Sequence, residues 1–534
     1  MKHSRVFPII LSAFICLTFS TTAQATLPDS IWHDTITDIR LHLQRIDTLS
    51  PYHCSLRLFG KKANGTPKSP ALQALVETVG INALVLGWDH FIQDREWARI
   101  TGKTIHNNLQ GDWVWDNDSF SGNQFSHPYH GSMFYNAARE HGLSYGVSLL
   151  YPVLGSATWE LFCETNPPAF NDFLSTGIGG AALGEVTHRV SDIFFDNTQR
   201  GASRVFREVV GTFLNPVRGL HRIISGEMFH VNHLSAGKKE EPEAFSFQVG
   251  LGNRYVHDIG SIHPRMGYRY SRNIPYFDIR FAYGSHYNNL DNGVATRAYD
   301  YFEVYTLVNL AHNNPTIGEL DIMGRIGSIQ RQLPHQWKLD IGFYQNVKYL
   351  DHYGKNGDQT AGNLSIISEA ASFGGGLHAV RHGHSVSILQ DVMLSAVPLG
   401  GSTADYYPLR RYNFGTGFSI RHNFEFIFNR HLSFGNRFYF MRLFIAKGAD
   451  PKKLDDYTKD PDTYRSELAD GINAWGDKGE QSILQNRLFF NFAITPNLRL
   501  RLQHEYYLRH GNYRHYPSIT GRSMEWKAGI TYAL

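Results

Sequence analysis

Cysteine is almost missing: three in 534 residues, and Cys16 lies in the opening apolar stretch. Only Cys54 and Cys163 remain, so at most one disulfide is possible and no zinc-type cysteine cluster exists. Long apolar runs are missing too. After residue 25 the nearest, Gly142 to Trp159, is uncharged but rich in Ser, Gly and Tyr, which argues against a helical inner-membrane protein. Charge of one sign is scarce, with a net of +3, so no broad nucleic-acid-binding face is expected.

What is present first is an export signal. Lys2, His3 and Arg5 precede the apolar run Val6 to Phe19, and Ala23-Gln24-Ala25 supplies a small-x-small cleavage site. Cleavage after Ala25 is expected, leaving residues 1–25 as a signal peptide. Ala13-Phe-Ile before Cys16 lacks the small residue a lipoprotein signal needs. At the other end Met524, Trp526, Ala528, Ile530, Tyr532 and Leu534 alternate with Glu525, Lys527, Gly529, Thr531 and Ala533, the pattern of a strand between lipid and a wet lumen. It resembles the terminal signal read by the barrel assembly machinery, with Leu534 in place of the usual aromatic.

From about residue 243 the apolar period is two. Phe245, Phe247, Val249 and Leu251 alternate with Ser246, Gln248, Gly250 and Gly252, as do Leu498, Leu500 and Leu502 with Arg499, Arg501 and Gln503. Twelve such segments fall between 244 and 533, each long enough for the roughly 9–11 residues of a tilted membrane strand. Short turns at 331–334, Gly383, 429–431 and 495–497 alternate with long polar loops such as 448–480. The expected fold is a transmembrane β-barrel of about 12 antiparallel strands over residues 243–534 in the Gram-negative outer membrane. The runner-up is a soluble sandwich.

Residues 26–225 read as an α-helical domain. Helices are expected at 38–45, 70–99, 128–141, 144–164, 172–195 and 202–213, with a kink at Pro152 and a helix cap at Asn171 or Asp172. Gly177-x-x-x-Ala181 and Gly180-x-x-x-Gly184 allow a second backbone to approach closely.

Trp113, Asp116, Asn123, His127-Pro-Tyr-x-Gly131, Arg139, Gly155-Ser156, Trp159-Glu160, Glu164, Asn171-Asp172, Thr176, Gly179-Gly180 and Leu183-Gly184-Glu185 resemble, in order and spacing, a bacterial family known as domain of unknown function 3943. The resemblance implies an exported protein with this helical signature ahead of a β-barrel, and no activity.

The chemistry must come from the residues. Glu160 and Glu164 share a helix face, and two close carboxylates raise one pKa, suiting acid–base work or metal binding. The plain alternative pairs them with Arg139, Arg189 or lumen arginines. Glu185-x-x-His188 and Glu227-x-x-His230 imitate di-metal pairs. His127 and His130 flank Pro128-Tyr129, able to act as base or ligand or to cap a helix. Candidate catalytic residues are therefore His127, His130, Glu160, Glu164, Asp172, Glu185 and His188. The candidate metal ligands are Glu160, Glu164, Glu185 and His188. No cofactor motif is evident, since Gly177-x-Gly179-x-x-Ala182 follows no strand. Three classes stay open: a structural or transport-related barrel whose helices plug its lumen or cap its periplasmic mouth, an enzyme acting on outer-membrane lipid or using a metal, and a surface binder using external loops.

Overall fold

The computed structural model describes residues 69–229, 245–259, 271–351, 366–454 and 473–533, apart from a few loop positions. The signal peptide, the helix expected at 38–45, Cys54, His230 and Leu534 lie outside them. Alternating apolar and polar residues place twelve strands: β1 (Phe245–Asp258), β2 (Ser271–Tyr283), β3 (Phe302–Asn309), β4 (Ile317–Gln332), β5 (Trp337–Asp351) and β6 (Ile366–His382). They continue as β7 (Val386–Thr403), β8 (Tyr412–Phe428), β9 (Leu432–Ile445), β10 (Gly479–Ala493), β11 (Leu498–Tyr513) and β12 (Ile519–Ala533). Each pairs antiparallel with its chain neighbours, and β12 returns to β1 through Tyr532 opposite Val249, closing the barrel.

The wall has two faces. Leu251, Ile341, Phe343, Leu394, Leu488, Phe490 and Trp526 form an exposed apolar exterior, while Arg254, Asp278, Arg487, Glu505, Glu525 and Lys527 are buried inside. This is the geometry of an outer-membrane barrel. Tight connections at 333–336, 383–385, 429–431 and 494–497 mark one end, which also holds Phe245 and Ala533; the long loops mark the other.

The lumen is filled by side chains. Arg487 of β10 reaches across to Glu319 of β4 at 2.7 Å and also holds Glu505 at 2.5 Å, while Lys527 joins Glu505 at 2.8 Å. Toward the long-loop end Leu350, Ile367, Val397, Met441, Leu443 and Ile483 form an apolar layer. At the short-turn end the 284–301 connection, longer than its neighbours, folds inward: the Tyr287 hydroxyl meets His378 Nδ1 at 2.7 Å and Arg325 holds Asp300 at 2.8 Å. A cavity of about 470 Å³ remains between these, lined by residues including Arg280, His286, Glu303 and Asp391.

The helices do not enter it. They are α1 (Pro70–Phe91), α2 (Gly102–Gln110), α3 (His127–Glu140), α4 (Leu150–Phe162), α5 (Gly180–Phe194), α6 (Gly201–Leu214) and α7 (Pro216–Ile224). In β5, Lys348 and Leu350 point inward, so Gln345, Val347 and Tyr349 point outward, and these outward residues meet the helices. Gln345 donates to the Ile178 carbonyl at 2.9 Å and accepts from the Tyr145 hydroxyl at 3.0 Å. Val347 and Ile322 pack on Ala182 and Val186, and Tyr349 stacks on Phe120 with centroids 4.9 Å apart. The expected plug is therefore corrected for the described residues: their helical unit lies along the outside of the wall, and side chains long enough to cross the lumen span it.

Local sequence shapes the unit. The 144–164 helix breaks at Leu149, just ahead of Pro152, giving Tyr145–Ser148 and α4. The first helix stops at Phe91 rather than near residue 99. By length and composition α1 is apolar enough to cross a membrane, the one such helix among the described residues. Its Leu72, Val79, Leu84, Trp88 and Phe91 are exposed, as are Val205, Phe206, Val209 and Phe213 of α6. The helices thus carry exposed apolar side chains of their own, as the barrel wall does.

Candidate functional site

The polar cluster forms where residues 113–123 cross the start of the Phe170–Leu174 turn, at the long-loop end. Val114 donates to the Pro168 carbonyl and Phe170 to the Val114 carbonyl, both at 2.8 Å. Barrel residues clamp this crossing from outside the wall. Arg410 donates to the Asp116 carbonyl and sits 4.3 Å over the Phe414 ring. Trp115 lies against Trp475 at 4.9 Å, and Asn123 donates to the Tyr412 hydroxyl at 2.7 Å. Turns of π-helix, Gly122–Ser126 and Ser175–Gly179, border the cluster before His127 and after Asp172. Such turns are frequent at functional sites.

Five of the seven residues singled out from sequence meet here. His127 Nε2 lies 3.2 Å from Asp172 Oδ1 and 3.9 Å from Asp118 Oδ2. Asn171 spans the carboxyls, donating to Asp116 Oδ1 and to Asp172 Oδ1 at 2.8 Å each. Glu160 accepts from the Ala169 backbone at 2.8 Å, and the Trp159 indole donates to Glu164. His130 packs its ring edge-on to Trp159 at 4.8 Å, and its Nε2 has no hydrogen-bond partner among the described residues. Burial pushes Glu164 up to about 7, aided by the nearby Asp118 and Asp116 charges and opposed by His127 and the Trp159 hydrogen bond. Access is from one side, where the Asp118 side chain is 60% exposed and that of His127 16%.

Three sequence expectations are corrected. Glu164 lies beyond the end of α4, so the two glutamates are not an i, i+4 helix pair. Their expected cationic partners are engaged elsewhere: Arg139 and Arg189 hold Glu185 at 3.0 and 2.8 Å. Neither Asp172 nor either histidine caps a helix; Ala169 and Ser126 occupy the cap positions without a side-chain hydrogen bond.

Glu185 and His188 belong to a different place. Glu185 also accepts from the Tyr135 hydroxyl at 2.7 Å, and His188 Nδ1 meets Glu140 at 3.0 Å. Glu227 pairs with Arg222 at 3.2 Å. Glu185 and His188 are therefore engaged in separate ion pairs with other residues, and Glu227 is paired with Arg222, while His230 lies outside the described residues. Sequence reasoning about sites passed over Asp116, Asp118, Asn123 and Asn171. The family signature contained three of these, and only their polarity among aromatics marked them.

Residues 112–217 match the family model described as Domain of unknown function (DUF3943). No curated protein matches the chain. Among solved structures, the NanC porin aligns with 53% of this chain and 98% of its own at 10% identity and a TM-score of 0.26. The COG4313 outer membrane channel from Pseudomonas putida F1 aligns with 56% and 100% at 9% identity and 0.28. The P. putida toluene transporter TodX aligns with 55% and 90% at 8% identity and 0.19. Scores of this size carry nothing about what this barrel does.

Proposed function

We propose that the barrel is an outer-membrane scaffold and that the helical unit on its outer wall is an acid–base enzyme acting on a membrane lipid. In this reading the signal peptide is cleaved after Ala25, the assembly machinery inserts the barrel, and the short-turn end faces the periplasm. One observation carries the proposal: Glu160, Glu164 and Asp172 are gathered with no lysine or arginine side chain paired to any of them among the described residues. A structural carboxylate is normally matched by a cation, as Glu185 is here. Unmatched carboxyls share protons, so one acts as acid while a neighbour acts as base. His127 is placed to orient Asp172, and the open edge at Asp118 admits a headgroup. The apolar exterior shared by barrel and helices leads lipid to that edge at outer-leaflet level.

Asp172→Asn and Glu164→Gln, expressed at wild-type levels, should abolish the lipid change that the wild-type protein produces, read by mass spectrometry of outer-membrane extracts from deletion, wild-type and variant cells. Glu160→Gln should melt at or above the wild-type temperature, because it relieves repulsion and keeps an oxygen for the Ala169 amide. Identical lipid profiles in deletion and wild-type cells would remove the proposal. A second reading, solute entry from the periplasmic mouth, has the 470 Å³ cavity in its favour, and conductance across planar bilayers tests it.

A further inference from the structure

At the opposite end of the helical unit, two histidines and a glutamate converge from three distant segments. His141 follows α3 and is 64 residues from Glu77 of α1; His221 of α7 is 144 residues from Glu77. His141 Nε2 lies 2.9 Å from one carboxylate oxygen and His221 Nε2 2.5 Å from the other. Both rings are buried, with centroids 5.5 Å apart and planes inclined by 54°, so they converge on the carboxylate without stacking on each other. One ligand atom from each of the three residues lies within 4.8 Å of the other two.

We propose that Glu77, His141 and His221 form a divalent metal site, and that the donor set selects zinc. Two imidazole nitrogens and a carboxylate are borderline ligands that suit Zn²⁺ over Mg²⁺ or Ca²⁺, which prefer all-oxygen shells. Three protein ligands leave a fourth position for water. A second argument comes from α1. Apart from Glu77, its only acidic residue is Asp89 near the C-terminal end, and a carboxylate within an apolar, membrane-length helix is expensive unless strongly partnered. Among the described residues the side chains that meet Glu77 directly are the two histidines, which take a metal as neutral rings, and no lysine or arginine is paired with it. The ion would bind α1 to the ends of α3 and α7. The site is separate from the carboxyl cluster and does not depend on the lipid reading.

The test uses the full chain purified in detergent, stripped with chelator, then loaded with Zn²⁺ and desalted. Elemental analysis should find one tightly held zinc per wild-type chain and none in Glu77→Gln, His141→Gln or His221→Gln. Zinc should raise the wild-type melting temperature and leave the variants unmoved. Because a variant can fail to fold, Co²⁺ is added to stripped wild-type protein as well. The intense visible bands of a tetrahedral N/O site support the proposal, and the pale octahedral spectrum of aqueous Co²⁺ overturns it. Wild-type protein that retains no more zinc than a folded triple variant also overturns it, and leaves the carboxylate as a plain hydrogen-bond bridge between two neutral imidazoles.

Discussion

Gly131→Ala should strip the helical unit from a barrel that still inserts and stays heat-modifiable. A Cβ at Gly131 would lie 2.1 Å from the Thr176 carbonyl oxygen and 3.0 Å from the Gly180 Cα, and one at Gly180 would lie 2.6 Å from the Gly131 Cα. Every one of these is a backbone atom, so no rotamer change can make room. The helices must separate, and overpacking of this kind costs about 3 kcal/mol. Their separation would also pull His127 from Asp172, since the two side chains sit on the two sides of this contact. Limited proteolysis should cut between residues 127 and 194 in the variant and spare the wild-type protein. Equal protection in both would show that the contact is not needed.

Arg487→Leu should produce the largest loss in the barrel itself. The guanidinium is buried in mid-lumen and bridges Glu319 on one side to Glu505 on the other. Leucine leaves both acids less compensated; Lys348 remains only 3.5 Å from Glu319, and Lys527 remains 2.8 Å from Glu505. Removing one partner of a buried pair costs about 3–5 kcal/mol. The heat-modifiability midpoint in detergent should fall by many degrees, with partial recovery in Arg487→Lys. An unchanged midpoint would mean that water, rather than Arg487, balances those acids.

The barrel was legible because its signal has a period of two on a wall with contrasting faces. The segment expected at 244–257 is the strand Phe245–Asp258, and that expected at 481–495 is Gly479–Ala493. Legibility failed where the faces stop contrasting. In β5 every residue from Tyr344 to Asp351 is buried, because charged and apolar side chains fill the lumen side while helices cover the other. Gln345, Val347 and Tyr349 gave no sign of which cover they had. The membrane-length apolar character of α1 was missed because Glu77, Thr78, Gly80 and Asn82 interrupt its run; the structure places Glu77 with two histidines and turns Asn82 toward the Gly155 carbonyl.

The site was half legible. His127, Glu160, Glu164 and Asp172 stood out as polar residues among aromatics, yet their neighbours came from chain crossings that spacing does not encode. Arg189 was the obvious partner for a glutamate, but Glu185 lies one helical turn before it on the same face and takes it. That left the Glu160 cluster without a lysine or arginine partner among the described residues, which turns a stabilising ion-pair reading into a chemical one.

The account rests on the helices lying outside the barrel, and a photoreactive residue at one of two nearby positions tests this most directly. Val347 faces Ala182 and Val186, whereas Leu350, three residues on, faces Met441 and Ile483 across the lumen. With p-benzoylphenylalanine at Val347, irradiation and peptide mapping should recover a crosslink to residues 180–194, while the same probe at Leu350 should recover only strand peptides from β9 and β10. A crosslink from position 350 to residues 180–194, with none from 347, would place the helices in the lumen and contradict the account.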